Sequence, residues 1–241
     1  MKKTTFLFLI CVLFAGISLS GCSTVAKQIN PTLSMDIEYG YFDNGDDMPA
    51  TVMVVVTNNH ERAATDVEIS LTPYDAEGNV IYADADESGG YTGSGTITEL
   101  IPLIMPGESA GLCSYAFHFL SEKPDHVEAE ITSAIMKDVS DIPEGTVTIK
   151  DFSYDMGADR IYVTLENTTD NDYDASDPEG HHSLNVIVIA YDSDGKIVGG
   201  DDGTVQYLEA HSEGQEEVYL LGLLAGTSAE SVKVFPLCFD Y

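Results

Sequence analysis

Positive charge is what this chain has least of. Ten Lys and Arg stand against 41 Asp and Glu, giving a formal net charge of −31 at neutral pH. Lys2 and Lys3 sit at the extreme N-terminus, which leaves eight cations for everything beyond it. Such a surface repels phosphate backbones and anionic headgroups, and this excludes nucleic acid as a partner. Cationic partners, divalent ions and plain mutual repulsion at a crowded surface remain as readings of the charge. Cysteine is scarce too. Beyond Cys11 and Cys22 there are Cys113 and Cys238, and a single distant pair makes no disulfide framework. They are expected as two buried thiols. After the N-terminal segment no second long apolar run occurs, so no further stretch is expected to cross a bilayer. Low-complexity tracts and convincing amphipathic helices are also lacking. With 44% hydrophobic residues, the chain reads as folded rather than disordered.

The N-terminal segment has three zones. Lys2 and Lys3 supply positive charge, Phe6 to Leu19 is apolar with small breaks at Gly16 and Ser18, and Leu19-Ser20-Gly21-Cys22 comes next. The apolar run suits the h-region of a secretory signal, about 7–15 residues, and falls short of the ~20 needed to span. LSGC resembles the lipobox of bacterial lipoprotein signal peptides. The resemblance implies cleavage before Cys22, a diacylglyceryl thioether on Cys22, and an extracytoplasmic chain held to the cell membrane by that lipid. Residues 1–21 are then a signal peptide and 22–30 a tether.

The remainder is long enough for two domains of roughly 100 residues, each able to bury a core without metals or disulfides. An internal repeat points the same way. Tyr74-Asp75-Ala76-Glu77-Gly78 matches Tyr191-Asp192-Ser193-Asp194-Gly195. Upstream, Thr51 to Asn59 parallels Ile161 to Thr168, and Met35 to Gly45 parallels Val147 to Gly157. Downstream, the Pro106-Gly107-Glu108 turn parallels Ala210 to Gly214, and Val127 to Ile131 parallels Val232 to Phe235. The boundary falls in the polar stretch Lys137 to Gly145, so the units are 31–140 and 141–241. Period-two alternation, as in Val67, Ile69 and Leu71, and recurring turn signals predict strands throughout, His126 to Lys137 included. The Tyr-Asp-x-x-Gly pieces predict hairpin turns, with Gly at positive φ and Asp bonded to the turn backbone. Many short strands per unit indicate an all-β fold of two tandem β-sandwiches.

The run of Asn-Asn, a strand, Tyr-Asp-x-x-Gly, Pro-Gly-Glu and an aromatic strand resembles the FxLYD family of small immunoglobulin-like domains of exported bacterial and archaeal proteins. Tyr74-Asp75 and Tyr191-Asp192 keep the motif's last two residues. Leu71 and Val188 stand where it has Phe, and Pro73 and Ala190 where it has Leu. The resemblance implies immunoglobulin-like sandwiches in an exported protein and supplies no catalytic or binding residues.

Candidate chemistry is limited. Gly107-Glu108-Ser109-Ala110-Gly111 has the string of an esterase nucleophile elbow. Pro106 before it and a predicted strand after it remove the strand–turn–helix setting that places such a serine, so it reads as a connecting turn. Oxygen-rich stretches occur at Asp43 to Asp47, Asp84 to Glu87, Asp170 to Asp174 with Asp177, and Asp201-Asp202. Ca²⁺ takes six to eight oxygens. Asp170, Asp172, Asp174 and Asp177 are therefore the candidate ligands, in a segment that departs from an EF-hand loop at Ala175 and His181. His181-His182 is the sole close histidine pair and gives a weak zinc signal. Ser88 to Gly95 and Asn171 to His182 are insertions between the units, with Tyr91 and Tyr173 expected as exposed aromatics on loops. The expectation is a non-enzymatic, lipid-anchored binding or spacer protein of the envelope. It would need no cofactor, and its partner would be an envelope or surface protein. The alternative is an accessory lipoprotein that binds Ca²⁺ or a small ligand through its acidic loops.

Overall fold

The computed structural model describes residues 24–30, 33–43, 50–83, 93–115, 120, 123–155, 160–176, 182–219 and 230–240. Strands dominate them, with one 3₁₀ turn at Val139–Asp141 and no α-helix among the described residues. In the first half the strands are β1 (Thr24–Asn30), β2 (Met35–Phe42), β3 (Thr51–Asn58), β4 (Ala63–Tyr74), β5 (Tyr82–Ala83), β6 (Gly93–Ser94), β7 (Ile97–Ile104), β8 (Ser109–Ser114) and β9 (His126–Lys137). In the second half they are β10 (Val147–Asp155), β11 (Arg160–Asn167), β12 (Tyr173–Asp174), β13 (His182–Tyr191), β14 (Ile197–Thr204), β15 (Tyr207–Leu208), β16 (Ser212–Tyr219) and β17 (Ser231–Asp240).

Two sheets in the first half, β1-β2-β3-β8 and β7-β4-β9, have counterparts in the second, β10-β11-β16 and β14-β13-β17. With β1 set aside, the strand orders correspond one for one, as the sequence repeat requires. All these pairings are antiparallel. The small pairs β5-β6 and β12-β15 lie outside the main sheets.

Matching side chains hold matching turns. Asp75 Oδ1 accepts the N–H groups of Glu77 (3.0 Å) and Asn79 (2.7 Å), and Gly78 has φ +82°. Asp192 Oδ1 likewise accepts from Asp194 and Lys196, both at 2.9 Å, with Gly195 at φ +75°. A second pair is Asn58 and Asn167, each the last residue of its strand and fully buried. Asn58 Nδ2 donates to the carbonyls of Arg62 (2.8 Å) and Ile104 (3.0 Å), and its Oδ1 accepts from His60 N–H. Asn167 Nδ2 donates to Asn171 (2.8 Å) and Glu209 (3.0 Å), and its Oδ1 accepts from Thr169 N–H. A buried amide side chain here ties down carbonyls that no ladder reaches.

The halves share apolar packing. Along β3, Val52, Val54 and Val56 face the sheet of β4, while Met53 and Val55 face the other way; all are buried. Along β13, Val186, Val188 and Ala190 belong to the second half's core. Ile187 and Ile189 join the first half's core instead, with Ile197 and Leu237. Sheet β1-β2-β3-β8 is thus stacked on sheet β14-β13-β17, and the sandwich-like pairs form four layers. Strands buried on both faces lose alternation and read as continuous apolar runs, which is what β3 and β13 show. Glycines permit the close approach. A methyl group on Gly111 would lie 2.6 Å from Phe235, and one on Gly200 would overlap the Met53 sulfur.

The residues expected as tether are, over Thr24–Asn30, a strand. They pair with β2 from Thr24–Tyr41 to Asn30–Met35. Tyr173, expected on an exposed loop, is 1% exposed and belongs to the second core. Its apolar ring is buried by the β12-β15 pairing, which folds the insertion back onto β13.

Candidate functional site

Asp170, Asp172 and Asp174, the candidate Ca²⁺ ligands, come after β11, and each carboxylate is bound within the chain. Asp170 Oδ1 lies 2.7 Å from His211 Nε2. Asp172 Oδ1 accepts Ala210 N–H at 2.7 Å, which fastens this segment to the turn before β16. Asp174 Oδ1 accepts both the N–H (2.8 Å) and the hydroxyl (2.6 Å) of Ser176, and these bonds hold its pKa below the ordinary aspartate value. The three carboxylates thus serve three different partners, and among the described residues no trio of His, Cys, Asp or Glu is arranged to hold a metal ion. Asp177, His181, Tyr91 and Cys22 lie outside the described residues.

Ser109 opens β8. Its hydroxyl lies 2.8 Å from that of Thr57 on β3, and Gly107 in the preceding turn has φ +78°. Pro106-Gly107 form the predicted turn, while Ser109 to Gly111 already belong to β8. This segment borders a groove of about 1150 Å³ between the halves, walled by Pro102, Met105, Ile142, Val147, Phe235 and Leu237 among others. Among the described residues no histidine lines this groove to take a proton from Ser109. A concave apolar surface where two units meet is the usual place for a small ligand.

The most unusual electrostatics lie at the other end of β8. Asp201-Asp202, read from sequence as an acidic loop, is instead part of β14, and Asp201 is fully buried. Tyr115, just after β8, reaches across the halves. Its hydroxyl oxygen lies 2.8 Å from Asp201 Oδ1 and 2.6 Å from Asp202 Oδ1. Asp202 N–H points at the same oxygen (3.2 Å) and at Asp201 Oδ1 (2.9 Å). On the far side, Asn185 Nδ2 is 3.5 Å from Asp202 Oδ2. Burial pushes the Asp202 carboxyl above its ordinary pKa, against the opposing pull of the Tyr115 hydrogen bond. Tyr115 is pushed far up, first by burial and then by Cys113 and Asp202. Cys113 is raised by burial and by the field of Asp202, so this thiol stays protonated and unreactive. Glu99 on β7 is raised by burial while Ser114 Oγ, 2.5 Å away, draws it back. Cys113 and Cys238 form no disulfide, and both are partly buried.

Sequence reasoning missed this cluster because it joins residues from both repeats. One signal was available: Asp201 and Asp202 fall within an apolar, glycine-rich stretch that begins at Ile197 and pairs with the buried strand β13. In comparison with known proteins, no family model matches the chain, and no curated protein matches it.

Proposed function

We propose that this chain is a lipid-anchored, extracytoplasmic, non-enzymatic binding or spacer protein of the bacterial envelope, built from two immunoglobulin-like domains of FxLYD type. The observation that carries the reading is the order of the N-terminal segment: two lysines, an apolar run of signal length, then Leu19-Ser20-Gly21-Cys22. The rest of the chain agrees with it. β1 begins two residues after Cys22, so at no more than ~3.6 Å per residue a lipid there holds the first sheet within about 10 Å of its attachment. Two acyl chains, at roughly 0.8 kcal/mol per buried CH₂, are enough for stable anchoring. The negative charge keeps the body off anionic headgroups. Repeated sandwich-like units in the same strand order suit the immunoglobulin-like reading. A ligand is best sought in the apolar groove between the halves.

Metabolic labelling with palmitate tests the anchor. The wild-type chain is expected in the membrane fraction carrying label, with precursor accumulating under globomycin. Cys22→Ser is expected to lose both label and globomycin sensitivity. An unlabelled, normally processed wild-type chain in the medium would refute the proposal.

A further inference from the structure

Tyr115, Asp201 and Asp202 present a problem in counting protons. A phenol has one hydrogen and can donate to one acceptor. Yet the Tyr115 oxygen stands at hydrogen-bond distance from two carboxyl oxygens, 2.8 Å from Asp201 and 2.6 Å from Asp202. With both carboxylates ionised, one of those contacts sets lone pair against lone pair. A second proton removes the conflict. We propose that Tyr115, Asp201 and Asp202 form a proton-linked clasp between the two halves, in which one extra proton resides on Asp202 and its loss loosens the contact.

The proton comes from solvent and the chain of donors is then complete. The Asp202 carboxyl O–H donates to the Tyr115 oxygen, and the Tyr115 O–H donates to Asp201 Oδ1. Asp201 Oδ1 is the acceptor in this arrangement, because the Asp202 N–H also donates to that same oxygen at 2.9 Å. Asp202 is the natural carrier: Tyr115 and Asn185 are the side chains that meet its carboxyl, and the Asn185 contact is long at 3.5 Å. Its surroundings offer no compensating positive charge among the described residues. From β8 the facing groups are Tyr115 and the Cys113 thiol, which itself feels Glu99 of β7; from β13 comes the neutral Asn185, and on β14 itself Asp201.

The direction of the pH effect comes from burial, which raises the Asp202 pKa in the folded chain. The clasp's contribution is therefore complete below the unfolded-state value and is lost as pH rises through the raised folded one. Ionised, Asp202 repels Asp201 across the Tyr115 oxygen, and the two halves part at this end. Lower pH tightens the stack, and higher pH frees the halves to shift.

Urea denaturation of the full chain across a pH series, for wild type and Asp202→Asn, tests this. The amide can donate to the Tyr115 oxygen at every pH, so it stands in for the protonated acid. The urea midpoint of wild type is expected to fall relative to that of Asp202→Asn as pH rises. Midpoints that move in parallel would overturn the proposal. Should Asp202→Asn fail to fold, the assigned carbon-13 carboxyl shifts of the wild type decide alone. Asp202 is expected to titrate at higher pH than the exposed aspartates, and titration together with them would overturn it.

Discussion

Stacking of β1-β2-β3-β8 on β14-β13-β17 can be tested at a single contact. Met53 is fully buried, and Gly200 on the opposing sheet lies directly against it. A methyl group at Gly200 would overlap the Met53 sulfur and come within 2.8 Å of both Met53 Cγ and the Val188 carbonyl oxygen. Overpacking of this kind costs about 1–3 kcal/mol. Met53→Ala removes a fully buried side chain and costs about 2–5 kcal/mol. In the double variant the new methyl group enters space that Met53 has vacated, leaving only the Val188 contact to relieve. Gly200→Ala should then cost less in the Met53→Ala background than in the wild type, with the Val188 backbone contact still to relieve, a coupling of about 1–2 kcal/mol within the usual range for touching residues. Urea denaturation of the four proteins of this cycle, with unchanged m-values, measures it. Additivity within about 0.5 kcal/mol would show that the two residues do not meet and that the four-layer stack is wrong.

The paired turns predict two other outcomes. Asn58→Ala and Asn167→Ala each remove a fully buried amide that donates to two carbonyls, so each should destabilise by about 1–3 kcal/mol in chemical denaturation. A loss below about 0.5 kcal/mol at either site would contradict the assigned bonding. The Asn79 side chain, and then its backbone N–H, hold the Asp75 carboxyl below the ordinary aspartate range. Its support of the turn is therefore complete above the unfolded-state pKa and disappears as pH falls through the lowered folded value. Carbon-13 titration should place Asp75 below the other exposed aspartates, and a midpoint among theirs would count against the turn geometry.

Much of the fold is legible in the chain because it rests on local chemistry repeated twice. Asp75 with Gly78 and Asp192 with Gly195 need only their own turn to form their hydrogen bonds, so the motif and the geometry coincide. His126 to Lys137 could be read at helical period, and its repeat partner ending in Val-Lys-Val-Phe marks it as the strand β9 that forms. Tyr173 misleads for the opposite reason. Its neighbours are polar and nothing adjacent announces a core, yet β12-β15 pairing across more than thirty residues buries it. The Thr24–Asn30 segment likewise looks like a polar spacer, and it becomes a strand because β2 offers an open edge. The acidic pair on β14 reads as solvated because charge implies a surface until a partner is known.

The sequence alone determined the strand-rich character, the duplication, the turns, the shortage of cations and the signal-like N-terminus, all of which depend on residues close together in the chain. Tertiary structure decided what the two units do to each other. Val52 to Val56 and Val186 to Ala190 are unbroken apolar runs, a pattern that allows burial on both faces without saying against what. Only the packed chain shows that the second face of β3 meets β14 and that of β13 meets β8, with Gly200 yielding to Met53 and Gly111 to Phe235. It alone carries Tyr115 to Asp201 and Asp202, some 86 residues along the chain. Desolvation and proton sharing depend on distance in space, and no spacing in the sequence encodes that distance.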